Sequence, residues 1–259
     1  MDKILFDSHA HINNGGYSGA QRAALMARLD AAPLAFVVDV GFDVASSRRA
    51  IRNAEARPWC YAAVGVHPHD AVGLTEAGFE ELRELLKAPK VVAVGEAGLD
   101  FYRDLSPRDV QREVFRKQIR LALETNMPLI VHDRDSGGEA VEILKEERAF
   151  SGAGVLLHCF SGSAEQALEY IGLGCTISIA GPVTYKNNKK TVEVAKRIPL
   201  ASMLIETDAP YLTPEPFRGK PNDSANVEYV ARKIAELRGL AYEEVAAATC
   251  ENARRFFGL

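Results

Sequence analysis

Ile4-Leu5-Phe6-Asp7-Ser8-His9-Ala10-His11 opens with an apolar run that turns, within a few residues, into ionisable side chains. Side chains alternate along an extended backbone with a period of two, so His9 and His11 share one side of a strand and can grip one cation. Imidazole is the commonest protein ligand for zinc-like metals. The layout recurs down the chain, and that decides the fold. Short apolar runs at 4–7, 35–40, 61–66, 91–95, 129–131, 155–157, 176–180 and 203–207 make eight predicted strands. Their nearly continuous Val, Ile, Leu and Ala character suits strands buried on both faces of a parallel sheet.

The segments between them carry helical signals. Ser106-Pro107-Arg108-Asp109 offers an N-cap, a proline for the first helical position and an early acid, after which Val110, Val114 and Leu121 fall on one face. Phe79, Leu82, Leu85 and Leu86 recur at three- and four-residue steps. Ser163 can cap a helix carrying Ala167, Leu168 and Ile171 that ends at Gly172 and Gly174, and 226–237 and 242–257 read as closing helices. Eight strand-helix units predict an α/β chain folded as a single (β/α)8 TIM barrel over residues 1–259, with an open doubly wound sheet as the alternative. No linker, low-complexity stretch or solenoid repeat marks a second domain.

Composition narrows the partners. At 259 residues, 47% hydrophobic and 25% charged, the chain can bury a large core, and its net charge of −4 suits cation binding better than a broad basic coat. Met1-Asp2-Lys3 leads straight into the first strand without a signal peptide, and no apolar run approaches the roughly 18 residues of a membrane span. Cys60, Cys159, Cys175 and Cys250 form no Cys-x-x-Cys pair, so a reducing, cytoplasmic setting is expected.

The ionisable residues cluster at strand ends. His9 and His11 follow the first strand, His67 and His69 the third, His132 the fifth and His158 the sixth, while Glu96 ends the fourth and Asp208 the last. All six histidines thus fall on one rim of a barrel, the rim where barrel enzymes keep their active sites. Five or six ligands exceed what one tetrahedral ion takes, so two divalent ions are expected, about 3.5–4 Å apart. Glu96 can bridge them through its two oxygens, and Asp208 is suited to take the proton of an attacking water.

The motifs Asp7-Ser8-His9-Ala10-His11, Gly65-Val66-His67-Pro68-His69, Gly95-Glu96-Ala97-Gly98-Leu99-Asp100, His132-Asp133-Arg134, His158-Cys159-Phe160-Ser161-Gly162 and Glu206-Thr207-Asp208-Ala209-Pro210-Tyr211-Leu212 resemble those of the TatD family of metal-dependent deoxyribonucleases. The likeness runs to the closing Asn252-Ala253-Arg254-Arg255-Phe256-Phe257. It implies a metallo-dependent hydrolase barrel in which Glu96 replaces the carboxylated lysine of some relatives. By matching positions, His9, His11, Glu96 and Asp208 would hold one metal, and Glu96, His132 and His158 the other. His67 would face a substrate phosphate, and His69 would support the site or the packing. The implied activity is hydrolysis of DNA phosphodiesters by a two-metal-activated hydroxide, in some members from the 3′ end of single strands. The ions would be Mg, Mn or Zn, the substrate DNA that is single-stranded or has a free end, and neither a membrane nor an obligatory protein partner is implied.

Other residues are compatible with such a substrate. Tyr102 and Arg103 follow Glu96, Arg134 follows His132, Arg218-Gly219-Lys220 lies past the last strand, and Tyr185-Lys186-Asn187-Asn188-Lys189-Lys190 is the most basic local run. Guanidinium groups match phosphate oxygens, and aromatic rings stack on splayed bases. One departure from the family pattern is Ser224, where a proline would fix the loop after Asn222-Asp223. Two other functions use the same residues: a metal hydrolase acting on a small ester, lactone or amide, and a metal-holding binding module without turnover.

Overall fold

A computed structural model describes residues 4–259; the start read at Met1-Asp2-Lys3 lies outside them. Strands and helices alternate: β1 (Leu5–Ala10), α1 (Gly19–Ala31), β2 (Leu34–Val40), α2 (Val44–Ala56), β3 (Cys60–Val64), α3 (Glu76–Leu85), β4 (Val91–Asp100), α4 (Arg108–Thr125), β5 (Leu129–Arg134), α5 (Glu139–Glu146), β6 (Val155–Leu157), α6 (Ala164–Gly172), β7 (Cys175–Ile179), α7 (Lys189–Arg197), β8 (Met203–Ile205), α8 (Val227–Arg238) and α9 (Tyr242–Phe257). The strands pair in chain order, each parallel to the next. No helix among the described residues is long and apolar enough to cross a membrane.

What separates a barrel from an open sheet is whether the first and last strands meet. Here they do. Ala10 bridges Ala209 in parallel, His11 N–H donates to the Ala209 carbonyl at 2.7 Å, and Asp208 N–H donates to the His9 carbonyl at 2.9 Å. The buried Asp7 carboxylate accepts from Thr207 N–H at 2.9 Å and from its hydroxyl at 2.7 Å. The structure is a (β/α)8 barrel, and the doubly wound alternative is set aside.

Apolar side chains of the strands, among them Phe6, Val38, Ile130, Leu156 and Leu204, form an inner cluster completed by Cys250, Ala253 and Phe257 of α9. The Phe257 ring stacks on Phe6 at 5.7 Å, so the last helix is tied to the first strand. Ionisable groups are left to the carboxyl ends of the strands.

Strand limits differ from the sequence reading in ways that shape the site. β4 continues to Asp100 instead of stopping at residue 95, because after a register shift it pairs onward with β5 from Ala97↔Val131 to Asp100↔Arg134. Gly98 permits this: at φ +149° it lies so close to the His132 carbonyl oxygen that a side chain there would collide with it. Conversely, β3 and β8 end early, at Val64 and Ile205, and leave His67 and Asp208 on loops. Ser106 does not cap α4. Its hydroxyl donates to the His69 carbonyl at 2.9 Å and accepts from Val72 N–H at 3.1 Å, so Pro107 takes the cap position. Ser163 does cap α6, reciprocally with Gln166, and α9 spans the expected residues. Around Ser224 the missing proline is replaced by hydrogen bonds: Asn222 Oδ1 accepts from Asp223 N–H at 3.0 Å and from Asn226 at 2.8 Å, and Asp223 Oδ1 from Ala225 N–H at 3.0 Å.

Candidate metal centre

Glu96 lies at the middle of the rim, 2% exposed, and its two oxygens face different partners. Oε2 is 3.3 Å from His9 Nε2 and 3.5 Å from His11 Nε2. Oε1 is 2.7 Å from His158 Nε2 and 2.9 Å from His132 Nδ1. Asp208 joins the first group, with Oδ1 3.5 Å from His11 Nε2 and 3.9 Å from His9 Nε2. The six residues singled out as ligands therefore converge in two sets that share one carboxylate.

The donor atoms fit divalent ions. His9 Nε2 and His11 Nε2 are 3.2 Å apart, as are His132 Nδ1 and His158 Nε2. Two imidazoles bound to one zinc-like ion at about 2.0–2.1 Å have nitrogens about 3.0–3.4 Å apart. The remote nitrogens are mostly committed elsewhere. His11 Nδ1 donates to the Val40 carbonyl at 2.8 Å, His132 Nε2 to Asp100 Oδ2 at 3.1 Å, and His158 Nδ1 to Glu206 Oε1 at 3.2 Å. A ring that donates from one nitrogen presents a bare lone pair at the other, which is how ligating histidines are oriented. His9 Nδ1 is buried and has no hydrogen-bond partner among the described residues, while its ring stacks on His158 at 4.0 Å.

His67 is oriented the other way. Its Nδ1 accepts from His69 N–H at 3.0 Å, so the proton of the neutral ring sits on Nε2, 3.5 Å from Glu96 Oε1. It can donate to a ligand at the centre. His69 supports the site through Asp100: its Nε2 donates to Asp100 Oδ2 at 2.8 Å, the same oxygen that holds His132.

Asp100 and Glu206 are the members that sequence reasoning missed. Both are fully buried, and Glu206 also accepts from Ser178 Oγ at 2.6 Å. A signal existed in each motif. Asp100 lies four residues beyond Glu96, an even step along β4, and Glu206 is a second carboxylate two residues before Asp208.

The histidines and carboxylates of the cluster shift one another's titration. Burial pushes Glu96 up, but His158, His67 and His9 outweigh it and hold its carboxyl well below the usual range. Asp208 is likewise raised by burial and then carried below its ordinary value by His11. Burial lowers His11, yet the hydrogen bond to Asp208 and the charge of Glu96 raise it to about 9. Protons and metal thus compete for the same lone pairs.

The expected substrate contacts Arg103, Arg134 and Arg218 are exposed and lie outside this cluster. Arg134 stacks on Tyr102 at 4.0 Å and Arg218 on Tyr185 at 4.3 Å. None of the three forms an ion pair among the described residues, whereas Arg108, Arg112, Arg116 and Arg120 of α4 are all matched with carboxylates.

The family described as TatD related DNase matches residues 6–258. The chain is 48% identical over 254 residues to an uncharacterized metal-dependent hydrolase, YabD, of Bacillus subtilis, covering 98% of this chain and 99% of that one. It is 34% identical over 260 residues to a protein of Escherichia fergusonii named 3′-5′ ssDNA/RNA exonuclease TatD, covering 98% and 99%. The crystal structure of YjjV, a TatD homolog from Escherichia coli, superposes with a TM-score of 0.92 at 32% identity over the whole of both chains. Eight-stranded barrel, polar rim and family match agree: the chain is a metal-dependent hydrolase and belongs to the TatD related DNase family.

Proposed function

We propose that this chain is a two-metal phosphodiesterase that degrades DNA, single-stranded or with a free end, in the 3′ to 5′ direction. The observation that carries the reading is the division of Glu96 between two imidazole sets, His9 and His11 at one oxygen and His132 and His158 at the other. Charge supports a count of two ions. Glu96, Asp100, Glu206 and Asp208 are at most 15% exposed in their side chains, and no lysine or arginine pairs with them among the described residues. Two divalent cations at such a centre supply Lewis acidity toward a phosphoryl oxygen and make a bound water acidic near neutral pH.

The chain's own residues then have separate tasks. His9, His11 and Asp208 hold one side of the centre, His132 and His158 the other, and Glu96 both. Asp208, ionised because His11 lies against it, is able to accept the proton of the attacking water. His67 donates Nε2–H to a non-bridging phosphate oxygen, where negative charge grows in the transition state. Arg103, Arg134 and Arg218, free of carboxylates, are available to neighbouring phosphates. The 3′-5′ ssDNA/RNA exonuclease names carried by relatives in Escherichia fergusonii and Pantoea vagans support this substrate and polarity. Four free cysteines support a reducing, cytoplasmic setting.

End-labelled single-stranded DNA is the test. Chelator-stripped protein resupplied with magnesium, manganese or zinc should shorten the strand from its 3′ end, and Glu96→Gln should not. Metal-dependent turnover of small esters, lactones or amides with no cleavage of DNA would replace this reading with carbonyl hydrolysis.

A further inference from the structure

We infer that Tyr102 and Tyr211 are two base-stacking shelves flanking the metal centre, so that the substrate strand must offer unpaired nucleobases beside the scissile phosphate; this rests on the nuclease reading above. The distribution of exposed apolar surface points to it. Among the described residues the large hydrophobics left exposed are Val72, Tyr102, Leu105, Leu168 and Tyr211. All but Leu168 lie on loops that follow strands β3, β4 and β8, on the rim of the centre. Exposed rings grouped beside a polar cluster suit a ligand that brings apolar faces.

Both tyrosines hang from carboxylate residues of the site. Asp100, whose Oδ2 holds His132, accepts Tyr102 N–H at 3.1 Å and Arg103 N–H at 2.8 Å with its other oxygen. Tyr211 N–H donates to the Asp208 carbonyl at 2.9 Å, and its ring meets His11 edge-on at 6.2 Å. The backbone of each tyrosine is therefore tied to a different side of the centre, while the two residues stay 61% and 55% exposed. Arg134 lies over one face of Tyr102 and puts a guanidinium beside the shelf, where the phosphate of a stacked nucleotide would lie. Tyr185 makes the contrast. An arginine, Arg218, lies over its ring as Arg134 does over Tyr102, but Tyr185 is half-buried and its hydroxyl donates to the Thr213 carbonyl at 3.0 Å, so it serves the structure.

Nucleobases are the occupants that fit, since they bring flat apolar faces on an anionic backbone that the unpaired arginines attract. Base-aromatic stacking contributes about 1–3 kcal/mol per base, so losing one shelf should weaken binding from about fivefold to about a hundredfold.

The test compares a thymidine oligomer with an abasic oligomer of equal length, which keeps every phosphate and lacks the bases. KM for cleavage and, on chelated protein, Kd from anisotropy are measured for the parent, Tyr102→Ala, Tyr211→Ala and the two Tyr→Phe variants. The parent should prefer thymidine, each Ala variant should lose at least about fivefold of that preference, and the Phe variants should keep it. Equal treatment of both oligomers by the parent, or an unchanged preference in both Ala variants, overturns the shelves and leaves the nuclease reading standing. Failure of the parent to cut either oligomer removes the nuclease reading itself.

Discussion

Replacing Asp100 by Asn should damage the metal centre more than replacing it by Ala. The carboxylate is pinned at both ends: Oδ1 accepts the N–H groups of Tyr102 and Arg103, and Oδ2 accepts His132 Nε2 and His69 Nε2. An Asn side chain must turn its oxygen to the two backbone donors, because the reverse orientation leaves two N–H groups facing an NH2, at about 1–3 kcal/mol each. The NH2 then points at His132 Nε2, which must accept, and the ring proton moves to Nδ1. That is the nitrogen facing Glu96 at 2.9 Å, and protonated it cannot ligate. Ala imposes no tautomer. Loss of a group supporting a metal ligand typically weakens affinity or activity about 10–100-fold, so Asp100→Asn should fall at the upper end of that range or beyond it, and Asp100→Ala at the lower. Cobalt titration followed by visible absorption would resolve the two ions. In Asp100→Asn one should weaken while the other, on His9, His11 and Asp208, binds as in the parent. Parental binding of both ions, or Ala weaker than Asn, would refute the tautomer argument.

The pH dependence of metal uptake follows from His11. Its pKa is raised to about 9, so below that value the ion-free protein keeps a proton on the group, and an entering ion must displace it. Affinity for the ion on His9, His11 and Asp208 should therefore rise about tenfold per pH unit between roughly pH 7 and 8 and level off above 9; a flat profile for that ion in a chelator-competition titration would contradict this. Phe257→Ala removes a ring that is 5% exposed and stacks on Phe6. It should lower stability by about 3–5 kcal/mol, a melting shift of roughly 6–20 °C, with metal stoichiometry unchanged; loss of bound metal in protein that remains folded would show that the base of the barrel and the centre are not independent.

The fold was legible because a parallel barrel repeats one signal eight times. Apolar runs such as those ending at His132 and His158 announce both a strand and its polar end, and errors of one or two residues at the limits do not move a side chain off the rim. That the residues proposed as ligands would meet was legible for the same reason. Their support was not, because ligation needs a particular nitrogen of each ring, and that choice is made by acceptors remote in sequence: the Val40 carbonyl for His11, Asp100 for His132, Glu206 for His158. Alternation along β4 could have led to Asp100, but the sequence reading ended that strand at Gly95. The shift between Val94 and Ala97 that lets it run on depends on how closely β5 approaches Gly98. Glu206 stayed hidden behind Asp208, two residues on, whose chemistry accounted for the motif by itself. A motif therefore identifies which residues meet, whereas the protonation that would let them ligate is set across strands, and substitutions such as Asp100→Asn test that second layer without touching a proposed ligand.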